Sequence, residues 1–250
     1  MILAVVGVGI VAGFINTLAG SGSLLTLPLL MFLGLPANVA NGTNRIGILL
    51  HNIVGSATFR KHKVLNLREG LRIGIPATLG SLIGARIAIN LNEVVMTRTI
   101  GGLLAIMFFL ILFNPTRWIQ SREGHPPVAR WLQIIIFFAI GIYGGFIQAG
   151  VGFFILAGLV LSAGFELVKA NALKVFIVLL YTPFALLIFI LNDQVDYKLG
   201  LILAAGNIIG AFLGAKYAIR VGAKTISYFV LVALALASLQ LLGVFGFIFK

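Results

Sequence analysis

The sequence predicts an all-α polytopic membrane protein of two inverted-topology repeats, each with about five hydrophobic helical segments. Broken or re-entrant short helices are expected to meet near the midplane. Three observations carry this expectation: the composition, the placement of Lys and Arg between apolar runs, and a repeat at an offset of 130 residues. Of 250 residues, 60% are hydrophobic and 10% charged, with a mean hydropathy of +1.14. Soluble domains carry about 25% charged residues and under half apolar ones. A water-soluble globule of this size could not hide so much apolar surface, which excludes soluble enzymes. The net charge of +12 would suggest nucleic acid if it lay on one polar face. Here the basic residues fall in short loops, so the bilayer is the expected partner and nucleic acid is not. The absence of cysteine excludes disulfides and thiolate chemistry. The start, Met1-Ile2-Leu3-Ala4, lacks a basic stretch and a cleavage site, so no removable signal peptide is expected.

Apolar runs fall at 2–18, 22–34, 38–58, 70–91 and 94–113, then at 131–148, 151–163, 168–191, 197–219 and 223–248. Crossing the hydrocarbon takes about 20 helical residues. The runs 22–34 and 151–163 are too short for that, and each follows a glycine break, Ala19-Gly20-Ser21-Gly22-Ser23 or Ala149-Gly150-Val151-Gly152. Each is therefore read as half of a hairpin that turns inside the membrane, where protein or a wet cavity must surround it. The loops sort by charge. Segments 59–69, 114–130 and 220–224 carry +3, +2 and +2, whereas 90–98 carries 0 and 192–198 carries −1. The positive-inside rule places the first three in the cytoplasm and the last two outside. This divides the chain into an N-terminal transmembrane repeat (1–113), a cytoplasmic linker (114–130) and a C-terminal transmembrane repeat (131–250).

The repeat itself is visible where Gly70–Ile89 matches Gly200–Ile219 at 7 of 20 positions. The same offset aligns Ala40-Asn41 with Ala170-Asn171 and His51 with Tyr181, and a two-residue gap brings Gly13–Asn16 onto Gly145–Gln148. Loop 59–69 is basic while its mate 189–199 is acidic, so equivalent loops lie on opposite sides. Inverted repeats with discontinuous helices belong to secondary transporters, whose sites sit near the midplane between the halves.

Loops aside, the ionisable residues in the spans other than histidine are Arg45, Arg72, Arg86, Lys174 and Lys216, all cationic. Arg72, Arg86 and Lys216 lie near helix ends and can snorkel. The segments Gly80-x-x-x-Gly84 and Gly210-x-x-x-Gly214 read as helix-packing seams. Arg45 and Lys174 approach the midplane from opposite sides, where a bound anion or structural hydrogen bonds must satisfy them. Asn41, Thr43 and Asn44 stand beside Arg45, and Asn171 beside Lys174; the tips add Ser21, Gly22, Ser23, Gln148, Gly150 and Gly152. The N-termini of the short helices offer unpaired N–H groups and the positive end of a dipole, and glycine admits close approach. These twelve residues form the expected anion site. His51 and Tyr181 occupy matching positions and are read as a proton relay or as packing and gating groups. No metal cluster, cofactor motif or nucleophile elbow is present in the sequence, so no metal or cofactor is expected.

The glycine break followed by Leu27-Pro28-Leu29-Leu30, then Leu33-Gly34-Leu35-Pro36, Ala40-Asn41-Gly42-Thr43-Asn44 and the paired Gly-x-x-x-Gly-Ala segments resemble the sulfite exporter TauE/SafE family of membrane permeases. The resemblance covers essentially the whole chain. It implies transport of small sulfur-containing oxyanions, such as sulfite or a sulfoacetate-like organosulfonate, across the cytoplasmic (inner) membrane, with the glycine tips and Asn41–Arg45 lining the pathway. Phe153 stands where the first half has Ser23, so the two tips are not equivalent ligands. The expected function is that of a non-enzymatic carrier working by alternating access, with proton coupling open, as a monomer or homodimer. An anion channel and a membrane-embedded enzyme are the alternatives; the missing carboxylates and nucleophile–base pair weigh against the enzyme.

Overall fold

The computed structural model describes residues 2–20, 22–112 and 126–217. Among these the chain is a bundle of helices without strands. They are α1 (Ile2–Ala19), α2 (Ser23–Phe32), α3 (Ala37–Lys61), α4 (Leu67–Ile89) and α5 (Glu93–Leu112), followed by α6 (Arg130–Phe146), α7 (Val151–Leu161), α8 (Leu167–Ile190) and α9 (Tyr197–Tyr217). Spans of α4, α5, α8 and α9 are long and apolar enough to cross a membrane. Large apolar side chains such as Ile75, Leu79, Phe184, Leu187 and Phe212 face outward on them, as lipid contact requires. The last expected segment, 223–248, and most of 114–130 lie outside the described residues, as do Ser21 and His125.

Local chemistry sets the breaks. The Asn66 side chain accepts from the amides of Arg68 and Glu69 and so starts α4. Glu93 accepts from the Ala37 amide at 2.6 Å, placing a carboxylate at the positive end of α3. Gly20 ends α1 with φ +72° and Gly150 starts α7 with φ +71°, a conformation that only glycine adopts without penalty. Positive φ recurs in pairs separated by 130 residues: Gly20 with Gly150, Gly34 with Gly164, and Lys63 with Asp193. The backbone thus repeats its turns at the offset read in the sequence.

Two hairpins organise the bundle. In the second, the Val128 amide donates to the Ser162 carbonyl at 2.9 Å, so α6 leaves and α7 returns at the same end. That end also holds Arg60, Lys61, Lys63 and Arg68, and is called the basic end here. Gly80 and Gly84 of α4 pack on Phe138, Ile142 and Phe146 of α6, and Gly141 and Gly145 pack back on Ala77 and Ser81. The ascending order of both sets makes α4 and α6 parallel. In the same way Gly206, Gly210 and Gly214 of α9 meet Val6, Ile10 and Phe14 to Thr17 of α1, again in parallel. Since α9 starts beside Asp193 and Asp196, α1 descends from the opposite, acidic end. Both seams place small residues where the backbones touch, the role expected for the Gly-x-x-x-Gly segments. The hairpin α1–α2 therefore enters from one end and α6–α7 from the other. Their tips meet in the middle: a Cβ on Gly20 would lie 2.5 Å from the Gly152 carbonyl carbon. Around them α3 and α8 pack on each other, α3 on α9 and α8 on α4.

Candidate functional site

Breaking a helix inside a bundle leaves its last carbonyls without intrahelical partners. The two buried cations answer this need. Arg45, fully buried on α3, reaches the end of α6: Nη2 donates to the Gly145 carbonyl at 2.6 Å and Nη1 to the Gly144 carbonyl at 3.2 Å. Nη1 also donates to Gln148 Oε1 at 3.1 Å, and Nη2 lies 3.5 Å from Asn41 Oδ1. Asn41 completes the cap by donating Nδ2 to the Phe146 carbonyl at 2.8 Å. Lys174, 2% exposed on α8, does the same for α1. Its Nζ donates to the carbonyls of Asn16 at 3.0 Å and Thr17 at 3.2 Å, and to Asn171 Oδ1 at 2.5 Å. Each cation sits at the negative end of the opposing hairpin's first helix, where it complements the dipole. Each hairpin is held by the helix of the other half.

A polar cavity lies where the tips meet, lined by Asn16, Ser23, Asn52, Gln148, Gly152 and Lys174 with Val151 and Val178. It has room for about one water molecule. As it stands the space between the tips is too small for anything larger than water. No carboxylate lines the cavity, and among the described residues no cluster of His, Asp or Glu could hold a metal.

Of the residues expected at an anion site, Ser23, Gln148, Gly152 and Lys174 are brought together here. Asn171 supports Lys174, while Asn41 and Arg45 support the end of α6, one layer away. Asn44 Oδ1 accepts from Thr26 Oγ1 at 2.6 Å, tying α3 to α2. Thr43 lies toward the acidic end and accepts from the Asp196 amide at 2.8 Å. Gly22 packs against Ala12 and Asn16, and a Cβ on Gly150 would meet the Met107 side chain. His51 Nε2 is 3.5 Å from Thr17 Oγ1, and Tyr181 accepts from Gln148 Nε2 at 2.9 Å. The matching pair thus flanks the two caps. Sequence reasoning missed Asn52; an amide in mid-helix beside His51 was the available signal.

Fold and site together define a polytopic helical membrane protein whose interior is built from two opposed broken hairpins around buried cations, the construction used by secondary transporters. Comparison with known proteins narrows this. Residues 5–241 match the family model described as sulfite exporter TauE/SafE. A "Probable membrane transporter protein" of Haemophilus influenzae is 30% identical over 86% of this chain and 84% of its own length. The "Probable membrane transporter protein YfcA" of Escherichia coli K12 is 30% identical over 94% and 87%, and YunE of Bacillus subtilis, named in the same way, 25% over 95% and 97%. No solved structure matches the chain. The chain belongs to the TauE/SafE family and is a membrane transporter.

Proposed function

We propose that the chain carries a small sulfur-containing oxyanion, sulfite or a short organosulfonate, across the cytoplasmic membrane by alternating access, with the basic end inside. The observation that supports this most is the tip cavity: Lys174, two helix N-termini and the amides of Asn52 and Gln148 converge there without a carboxylate. One cation and two helix N-termini suit an oxyanion, and no carboxylate stands there to repel it. The paired positive-φ turns and the paired seams support two inverted repeats over 1–113 and 131–250. Tip-to-tip closure of Gly20 on Gly152 favours a carrier over an open pore.

In this reading the anion and the α1 carbonyls compete for Lys174. In the enclosed state the ammonium holds the end of α1; when the anion takes it, that hairpin loosens and can move with the tip. Arg45, whose terminal N–H groups all face protein acceptors, keeps the opposite hairpin in place, and Asn41 and Asn171 orient the two cations. Thr43 ties α3 to the loop before α9 and Asn44 ties it to the first turn of α2, which keeps these elements in register for that motion. His51 and Tyr181 stand where a proton relay or a gate would act.

The test is uptake of sulfite into liposomes holding the purified protein, with and without an imposed pH gradient. Saturable uptake that chloride does not compete away is expected. Acceleration by the gradient would assign proton coupling. No uptake above empty liposomes, from protein shown to be folded, would reject sulfite, and a short organosulfonate would replace it in the same assay.

A further inference from the structure

A serine or threonine hydroxyl inside a helix has the carbonyl three or four residues back as its nearest partner. Thr17, Thr58, Thr78, Thr99 and Thr182 all donate to it. Ser56 on α3 does not: the residue is 6% exposed and its Oγ has no partner among the described residues. Buried polar groups are nearly always satisfied, so such an exception calls for a physical reason. Its position suggests one. Ser56 is one helical turn beyond Asn52, on the same face of α3 and toward the basic end. Asn52 lines the tip cavity, where its Nδ2 donates one N–H to the Ile48 carbonyl at 2.7 Å and has a second to offer. One turn further, Phe59 is buried against Ala172 and Val175 of α8 and closes the row.

The other half is built differently at the matching positions. Thr182, Leu186 and Phe189 stand on α8 where α3 has Asn52, Ser56 and Phe59. Thr182 is satisfied by the Val178 carbonyl at 2.6 Å, and Leu186 is apolar. The Phe189 ring packs against Gly42 and lies 4.6 Å from the Arg45 guanidinium carbon. The row toward the acidic end is therefore apolar beyond Thr182, whereas the row toward the basic end stays polar as far as Phe59, with the Ser56 hydroxyl unpartnered.

We propose that Asn52 and Ser56 line the half of the substrate route between the tip cavity and the basic end, donating hydrogen bonds to a passing oxyanion, with Phe59 as its gate. This rests on the transport reading and adds to it which half opens more readily. Since the chain has no cysteine, single cysteines report on the route without background. Purified protein in detergent would be treated with 2-sulfonatoethyl methanethiosulfonate, an anionic reagent that forms a disulfide with an accessible thiolate and releases methanesulfinate. Ser56→Cys is expected to react at least about tenfold faster than Leu186→Cys, because access of the reagent to the thiolate sets the rate. Adding Phe59→Ala should raise the Ser56→Cys rate further. Sulfoacetate should slow labelling where equal chloride does not; sulfite itself consumes the reagent and is not used. A Ser56→Cys rate no higher than that of Leu186→Cys, with Lys63→Cys in the loop fully reactive, would overturn the route. Fast labelling that sulfoacetate leaves unchanged would keep the route and reject a short sulfonate as cargo, so the two readings fail separately.

Discussion

Replacing Lys174 by glutamine is expected to reduce saturable sulfite flux by roughly 100-fold, the scale set by losing one partner of a buried charged contact, about 2–5 kcal/mol. Glutamine keeps an amide that can still donate to the Asn16 and Thr17 carbonyls, the two backbone acceptors that the ammonium now serves. The end of α1 therefore remains capped and the protein should elute from gel filtration as the wild type does. What is lost is the positive charge that the anion must find in the cavity. Lys174→Arg keeps the charge with a larger head in a cavity sized for about one water, so it should retain partial flux with weakened apparent affinity. Flux that is unchanged in folded Lys174→Gln would remove Lys174 from the transport cycle.

Arg45→Ala is expected to act on stability rather than on substrate affinity. It strips the Gly144 and Gly145 carbonyls and Gln148 Oε1 of their donor and leaves a void beside Phe189. Orphaning a buried acceptor costs about 1–3 kcal/mol, so two backbone carbonyls together imply a fall of roughly 10 °C in the unfolding temperature. Arg45→Lys should recover part of it, since an ammonium can reach one carbonyl but not both with the planar geometry of a guanidinium. The measurement is thermal unfolding in detergent followed by gel filtration. An unfolding temperature equal to the wild type would show that the α6 end does not depend on this cap.

Those two residues also mark what the sequence made legible. Run lengths exposed the short helices after Gly20 and Gly150, because a ten-residue apolar stretch cannot cross a bilayer and has to turn back. The 130-residue offset was readable from glycine spacing, and the structure carries it into the backbone at the paired positive-φ turns. Small-residue seams were legible for the same reason: only glycine lets α4 and α6 approach through the Phe138 and Ile142 backbone. The partners of Arg45 and Lys174 were not legible. Beyond the nearby Asn41 and Asn171 side chains these are mainly backbone carbonyls roughly 100 or more residues away in sequence, and a carbonyl at a helix end has no side-chain signature. With no carboxylate in the spans, a sequence can narrow the partners to water, carbonyls or an anion, and the fold then shows which carbonyls come within reach. Thr43 illustrates the converse, since it lies in the expected polar run but its hydroxyl serves the loop at Asp196. Asn52 escaped notice because its one signal, a mid-helix amide beside His51, does not say which way α3 turns that face.

The most direct test of hairpin-gated exchange around Lys174 is counterflow of radiolabelled sulfite, with liposomes preloaded with unlabelled sulfite compared with empty ones. Because an enclosed site must reload before it returns, preloading should accelerate uptake of label and the rate should saturate with sulfite. Uptake that rises linearly with sulfite and ignores the preloading would mean a continuous pore, and would contradict closure of the Gly20 tip on Gly152 as a step in transport.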